Sequence, residues 1–133
     1  MASILQKTIL VVEDESIVLR VINSLLTKKG YRVLTAKSSA EALRHCENQA
    51  NLPIDLLLTD IMIPGLSGPN LARGITTLCP NIQVIYMSGY TADIIAEKGL
   101  LDANSNFIEK SDIARSLTEK VQNLLTKISP DRG

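Results

Sequence analysis

A parallel, five-stranded α/β sheet with helices on both faces is the fold class that this 133-residue chain predicts. Three observations carry it. Short β-branched or apolar runs alternate five times with segments whose apolar residues recur at helical spacing, the pattern of right-handed βαβ crossovers. The central run, Leu56, Leu57 and Leu58, is apolar without alternation, as a strand buried on both faces requires. Acidic, hydroxyl-bearing and basic residues stand directly after these runs, at the sheet edge where open parallel sheets place their ligands.

Taken in order, Thr8 to Val12 reads as a buried strand bounded by Lys7 and by Glu13-Asp14-Glu15. From Ser16 a first helix carries Ile17, Val18, Val21, Ile22, Leu25 and Leu26, with Lys28 and Lys29 at its negative end and Gly30 as its stop. Arg32 to Ala36 is a second strand. Ser38 with Glu41 fits a capping box for a second helix through Ala42, Leu43 and Cys46. The central strand covers Leu56 to Thr59, ends in Asp60, and turns at Pro64-Gly65. Gly68-Pro69 opens a third helix with Leu71, Ala72, Ile75 and Leu78 on its inner face, and Pro80 ends it. Gln83 to Met87 is a fourth strand running into Ser88-Gly89. Thr91 caps a short fourth helix through Ile94 and Ile95, which stops near Gly99. Asn106 to Ile108 is a very short fifth strand. Ser111 or Asp112 caps the last helix, whose stripe is Ile113, Leu117, Val121, Leu124, Leu125 and Ile128, and Ser129 to Gly133 is a tail. These elements imply a flavodoxin-like, doubly wound sheet in the order 2-1-3-4-5 with five helices. The expected organisation is one domain over residues 1–133, its core at about 8–127 with short tails and nothing appended.

Bulk properties exclude several classes. Hydrophobic residues make up 45% and charged residues 21%, the balance of a soluble globular domain. Fourteen basic and fourteen acidic residues cancel, so no net field recommends nucleic acid or an acidic membrane as partner. The apolar runs are far shorter than the roughly 20 residues of a membrane span, and Met1 to Lys7 lacks a signal-peptide core. The cytoplasm is the expected compartment. Cys46 and Cys79 form no CxxC pair, and with His45 as the one histidine a zinc site is not expected. The cysteines read as small reduced hydrophobes.

If strands 1 and 3 are neighbours, Glu13, Asp14 and Asp60 meet at one edge. Two like charges about 4 Å apart repel by roughly 4 kcal/mol at an effective dielectric of about 20. Three carboxylates therefore either raise one another's pKa values or hold a cation. A hard divalent ion with oxygen ligands answers this most simply, and Mg²⁺ is the expected one. The plainer alternative is a solvated acidic rim. Ser88 adds a hydroxyl at the end of strand 4, with Gly89 leaving room beside it. Lys110 adds a flexible ammonium at the end of strand 5. Carboxylates, a metal, a hydroxyl and a lysine around one point describe a site for phosphoryl chemistry.

With these residues in place the chain resembles the receiver domains of bacterial two-component response regulators, from Thr8 to about Leu125. The resemblance rests on Glu13-Asp14 after strand 1, Asp60 after strand 3, Pro64-Gly65-Leu66-Ser67-Gly68, Ser88-Gly89 after strand 4, and Phe107-Ile108-Glu109-Lys110. Met87-Ser88-Gly89-Tyr90-Thr91 and the Gly-Leu-Leu-Asp segment beyond it look most like receivers of hybrid histidine kinases. The resemblance implies that Asp60 accepts a phosphoryl group from a sensor or hybrid histidine kinase, a phosphotransfer protein or a small acyl phosphate. It implies Mg²⁺ bound by Asp14, Asp60 and the backbone carbonyl of Met62, with Glu13 acting through a water. Lys110 and Ser88 would hold the phosphoryl oxygens, and Phe107 would change rotamer as Ser88 moves. A downstream protein would then read the face formed by helix 4, strand 5 and helix 5. One departure stands out: Ser111 follows the lysine where the family usually has a proline in a cis bond. A non-proline cis bond costs about 3 kcal/mol, so a trans Lys110-Ser111 peptide is expected, and the reach of Lys110 becomes the question to settle.

Two rival readings differ in class. A receiver-like interaction module would keep the fold without being phosphorylated, and Ser111 is the feature that points to it. An enzyme would be a flavodoxin or an aspartate-nucleophile phosphatase. Against these, Glu13-Asp14-Glu15 stands where a flavin phosphate loop belongs, and Met62 stands where the phosphatase has its second acid. The chain has neither a G-x-G-x-x-G nor a P-loop.

Overall fold

The structure, a computed structural model, describes residues 6–51 and 53–126. Its elements are β1 (Thr8–Val12), α1 (Ser16–Lys28), β2 (Arg32–Ala36), α2 (Ser39–Glu47), β3 (Leu56–Asp60), α3 (Gly68–Leu78), β4 (Gln83–Ser88), α4 (Ala92–Glu97), β5 (Asn106–Glu109) and α5 (Ile113–Thr126). Short 3-10 turns lie at Gln49–Asn51 and Lys110–Asp112. The strands form one parallel sheet in the order β2-β1-β3-β4-β5. The order reverses between β1 and β3, which opens a crevice outside their carboxyl ends.

β1 and β3, at the centre of the sheet, are buried at every position, as their apolar runs require. Side chains of Ile9, Val11, Leu56, Leu58, Ile85 and Met87 pack on one face beneath α1 and α5. Leu10, Val12, Leu57 and Ile82 pack on the other face beneath α2 and α3. On α5, Leu117, Val121 and Leu125 are buried at helical spacing, each contributing about 1.5–3 kcal/mol of hydrophobic stabilisation. No helix among the described residues is long and apolar enough to cross a membrane.

Several local expectations need correction. α1 carries seven apolar positions, Leu19 besides the six of the expected stripe, and together they are wider than a neighbouring layer can cover. Leu19, Ile22 and Leu26 take the buried line, with Val18 and Leu25 beside it, while Ile17 (74% exposed) and Val21 (42%) face outward. Leu78 is also exposed, because α3 ends there and Cys79 turns in against the core instead. The capping box of α2 is half as drawn: Ser38 Oγ accepts from Glu41 N, but the Glu41 carboxylate accepts from Lys37 N rather than from Ser38. Neither Ser111 nor Asp112 serves as a simple cap for α5, which grows out of the 3-10 turn at Lys110–Asp112 while Asp112 pairs with Arg115. The expected contributions of Ile128 and the tail lie outside the described residues.

Candidate functional site

β1 delivers Glu13 and Asp14 to the crevice, and β3 delivers Asp60, because Val12 stands in register with Thr59. One carboxylate oxygen from each of Glu13, Asp14 and Asp60 lies within 4.8 Å of the others. Asp14 is exposed, Asp60 is 8% exposed and Glu13 is fully buried. Asp60 Oδ1 accepts from Met62 N at 3.2 Å, and Oδ2 lies 2.6 Å from Lys110 Nζ. The lysine starts two strands away and crosses the end of β4 to reach this point. Its ammonium also lies 2.9 Å from Glu13 Oε1 and 3.3 Å from Glu15 Oε1. Ser111 in place of proline therefore does not keep Lys110 from the acidic cluster. The one feature favouring a module without phosphorylation loses its force.

Glu13 Oε2 accepts from Glu15 N at 2.9 Å, but Oε1 has no aligned hydrogen bond, so its contact with Lys110 is an ion pair. Burial pushes the Glu13 carboxyl above its ordinary value of 4.5, against the lowering effects of the Glu15 amide and Lys110. For Lys110, burial acts to lower the pKa, but attraction to the Asp60 and Glu13 carboxylates outweighs it. The ammonium is held well above its ordinary 10.5. A buried carboxylate oxygen without an aligned donor, beside two further carboxylates, is the donor set of a hard divalent cation. The acidic cluster fits Mg²⁺.

The lysine's contribution has a definite sign with pH. A raised folded-state pKa means that its stabilisation is complete below 10.5 and is lost as pH rises through the higher folded value. In EDTA, Lys110→Met is expected to cost roughly 2–4 kcal/mol near neutral pH, since it strands Glu13 and Asp60 without a counter-charge. Urea midpoints should show that deficit shrinking above pH 10.5. A deficit constant with pH would contradict the ion pairing.

The remaining expected residues take separate places. Ser88 is buried at the end of β4, where its Oγ accepts from Tyr90 N at 3.0 Å. A Cβ on Gly89 would meet nothing within 4 Å, so the space beside Ser88 is open. Phe107 is half-buried on β5 and stands opposite Tyr86 in register, on the sheet face that Ser88 shares. Met62 offers its amide to Asp60 and exposes its side chain.

The loop between β3 and α3 is held by Ser39, which no sequence pattern marks, and by the expected turn glycines Gly65 and Gly68. Ser39 N donates to Pro64 O, and Ser39 Oγ accepts from Leu66 N at 3.1 Å. Gly65 has φ of 100°, and a Cβ there would fall 2.1 Å from Ser39 Oγ. Gly68 lets α3 start against the backbone of Asp60, because a Cβ would fall 2.4 Å from the Asp60 carbonyl oxygen. Glu15 has a contact with Lys110 that its place after β1 in the sequence does not mark. Its carboxylate, 63% exposed, is a third anion on Lys110.

Known proteins resemble this chain in sequence and in fold. A family model for the response regulator receiver domain matches residues 9–122. The chain is 33% identical over 120 residues to the sensor kinase CckA of Brucella abortus, covering 90% of this chain but 13% of that protein. It is 28% identical over 119 residues to the response regulator receiver protein CpdR of the same organism, covering 90% of this chain and 97% of CpdR. A crystal structure of a response regulator receiver protein from Sinorhizobium medicae WSM419 superposes with a TM-score of 0.75 at 31% identity. That match covers 91% of this chain and 95% of the other.

Proposed function

The chain belongs to the receiver domain family of two-component response regulators, and from that premise we propose that Asp60 is its phosphoryl acceptor. Receiver domains are phospho-accepting signalling domains that interact with histidine kinases or phosphotransfer proteins, and they bind Mg²⁺ at an acidic pocket. One observation supports the residue assignment above others. Asp60 is a nearly buried carboxylate at the end of the central strand, oriented by an amide on one oxygen and an ammonium on the other.

An Asp60 oxygen attacks the phosphorus of a phosphohistidine on a sensor or hybrid kinase or a phosphotransfer protein. As the new P–O bond forms, the P–N bond breaks, and the imidazole nitrogen keeps its electron pair and takes a proton. A small acyl phosphate serves as donor in the same way, losing a carboxylate. Glu13, Asp14, Asp60 and the Met62 carbonyl would hold Mg²⁺, which supplies positive charge where the phosphoryl oxygens gather. Lys110 moves from carboxylate to phosphoryl oxygen within its present reach, and Ser88 offers its hydroxyl proton to another. The domain turns over only its own phosphoryl group, first by accepting it and then by autodephosphorylation. It works in the cytoplasm, with proteins rather than nucleic acid or membrane as partners, and residues 1–133 act as a single receiver unit.

For the signal to leave the site, Ser88 must give up Tyr90 N and turn inward, vacating space on the face it shares with Phe107. Rotation of Phe107 then alters the surface of α4, β5 and α5, where a downstream protein binds. Moving such an equilibrium from 1:99 to 99:1 takes about 5.5 kcal/mol, a reasonable sum for two or three charge-assisted hydrogen bonds. Addition of beryllofluoride with Mg²⁺ should therefore shift backbone amide resonances from the acidic cluster through residues 91–125, with α2 responding less. Shifts confined to the loops around Asp14 and Asp60 would refute the switch.

A further inference from the structure

The connection between β4 and α4 is fastened by two side chains that stand opposite each other in the sheet. Ser88 pairs with Glu109 in the β4–β5 register. Ser88 Oγ holds Tyr90 N at 3.0 Å, and Glu109 Oε2 holds Ala92 N at 3.0 Å. These are alternate amides of one short segment, and Ala92 is the first residue of α4. The second contact spans 17 positions in sequence, so it ties α4 to a different strand. Thr91 Oγ1, which accepts from Ile94 N at 3.3 Å, orders the turn internally. Glu109 is also the residue before Lys110, so the strand end that carries the lysine to Asp60 also carries the anchor of α4.

We propose that Glu109 is a positioning residue, a latch from β5 to the first turn of α4 that sets the resting equilibrium of the phosphorylation switch. The proposal rests on the reading of Ser88 as a phosphoryl contact. When Ser88 releases Tyr90 N, the Glu109–Ala92 bond is, among the described residues, a side-chain hydrogen bond that still holds the segment to the sheet, and its strength, with the burial of Ile95, opposes the displacement of α4. A carboxylate is suited to the task because a charged acceptor makes a stronger bond to a helix-start amide than a neutral one.

Two variants test this, Glu109→Ala and Glu109→Gln, the second keeping an acceptor oxygen at the same reach. In the protein without phosphoryl mimic, hydrogen exchange of the Ala92 amide should accelerate by about tenfold in the alanine variant, the factor expected for loss of one such bond. The glutamine variant should recover most of that protection. In beryllofluoride titrations at fixed Mg²⁺ and fluoride, the alanine variant should bind about threefold to tenfold more tightly, because less of the affinity is spent on displacing the resting state. Glutamine should again fall near wild type. Unchanged Ala92 exchange in Glu109→Ala would overturn the latch. Faster exchange with unaltered beryllofluoride affinity would show a merely structural cap and overturn its regulatory role. A wild-type protein that does not respond to beryllofluoride would instead defeat the phosphoryl-site reading, and the proposal with it.

Discussion

Asp60→Ala will reduce acid-labile labelling by acetyl phosphate to background and leave the fold intact. The side chain contributes almost nothing to either hydrophobic layer, since it sits beyond the last apolar residue of β3. Its removal takes away one partner of Lys110, but Glu13 and Glu15 remain within 2.9 and 3.3 Å of the ammonium. It also relieves repulsion among three clustered carboxylates. These effects oppose each other, and the net change in unfolding free energy should stay within about 1 kcal/mol. Circular dichroism and urea unfolding check the fold, and labelling checks the chemistry. Wild-type stoichiometry in the variant would remove Asp60 from the role of acceptor.

Asp14→Asn should weaken Mg²⁺ binding by about tenfold or more, because a lost unit of ligand charge beside a divalent ion costs more than roughly 1.4 kcal/mol. Asp14 is the exposed member of the cluster, so the substitution disturbs no packing and isolates the electrostatic effect. Acetyl-phosphate labelling at sub-saturating Mg²⁺ should fall in parallel and recover in part as Mg²⁺ is raised. The apo protein should become slightly more stable, since one of three neighbouring negative charges is gone. An isothermal titration that gives the wild-type Mg²⁺ affinity would refute the ligand set.

What the sequence discloses about this chain follows from how local each cause is. The strands were legible because burial on both faces demands runs such as Leu56 to Leu58, and the caps at Ser38 and Thr91 act within three residues of themselves. Asp60 stood out because a strand end is a local feature and the sheet edge follows from topology. The orientation of α1 was not legible. Its seven apolar positions are equivalent until α5 and the sheet select Leu19, absent from the expected stripe, together with Ile22 and Leu26. The start of α5 was missed because its first turn continues a 3-10 turn from β5, so no side-chain cap was needed where one was expected. Ser39 and Glu109 escaped for a different reason. Each acts on backbone amides far away in sequence, Leu66 and Ala92, and no periodicity marks such a partner. The three-carboxylate environment of Lys110 is likewise a product of crossing β4, which only the folded sheet displays.

The central claim is that this receiver takes its phosphoryl group on Asp60, and mass spectrometry of the labelled wild-type protein tests it most directly. The protein is treated with acetyl phosphate and Mg²⁺, reduced with borohydride to trap the acyl phosphate as homoserine, and digested for site mapping. Conversion at Asp60, abolished when EDTA replaces Mg²⁺, is the predicted result. Conversion at Asp14 or Glu13 in its place, or no conversion at any carboxylate, would contradict the account.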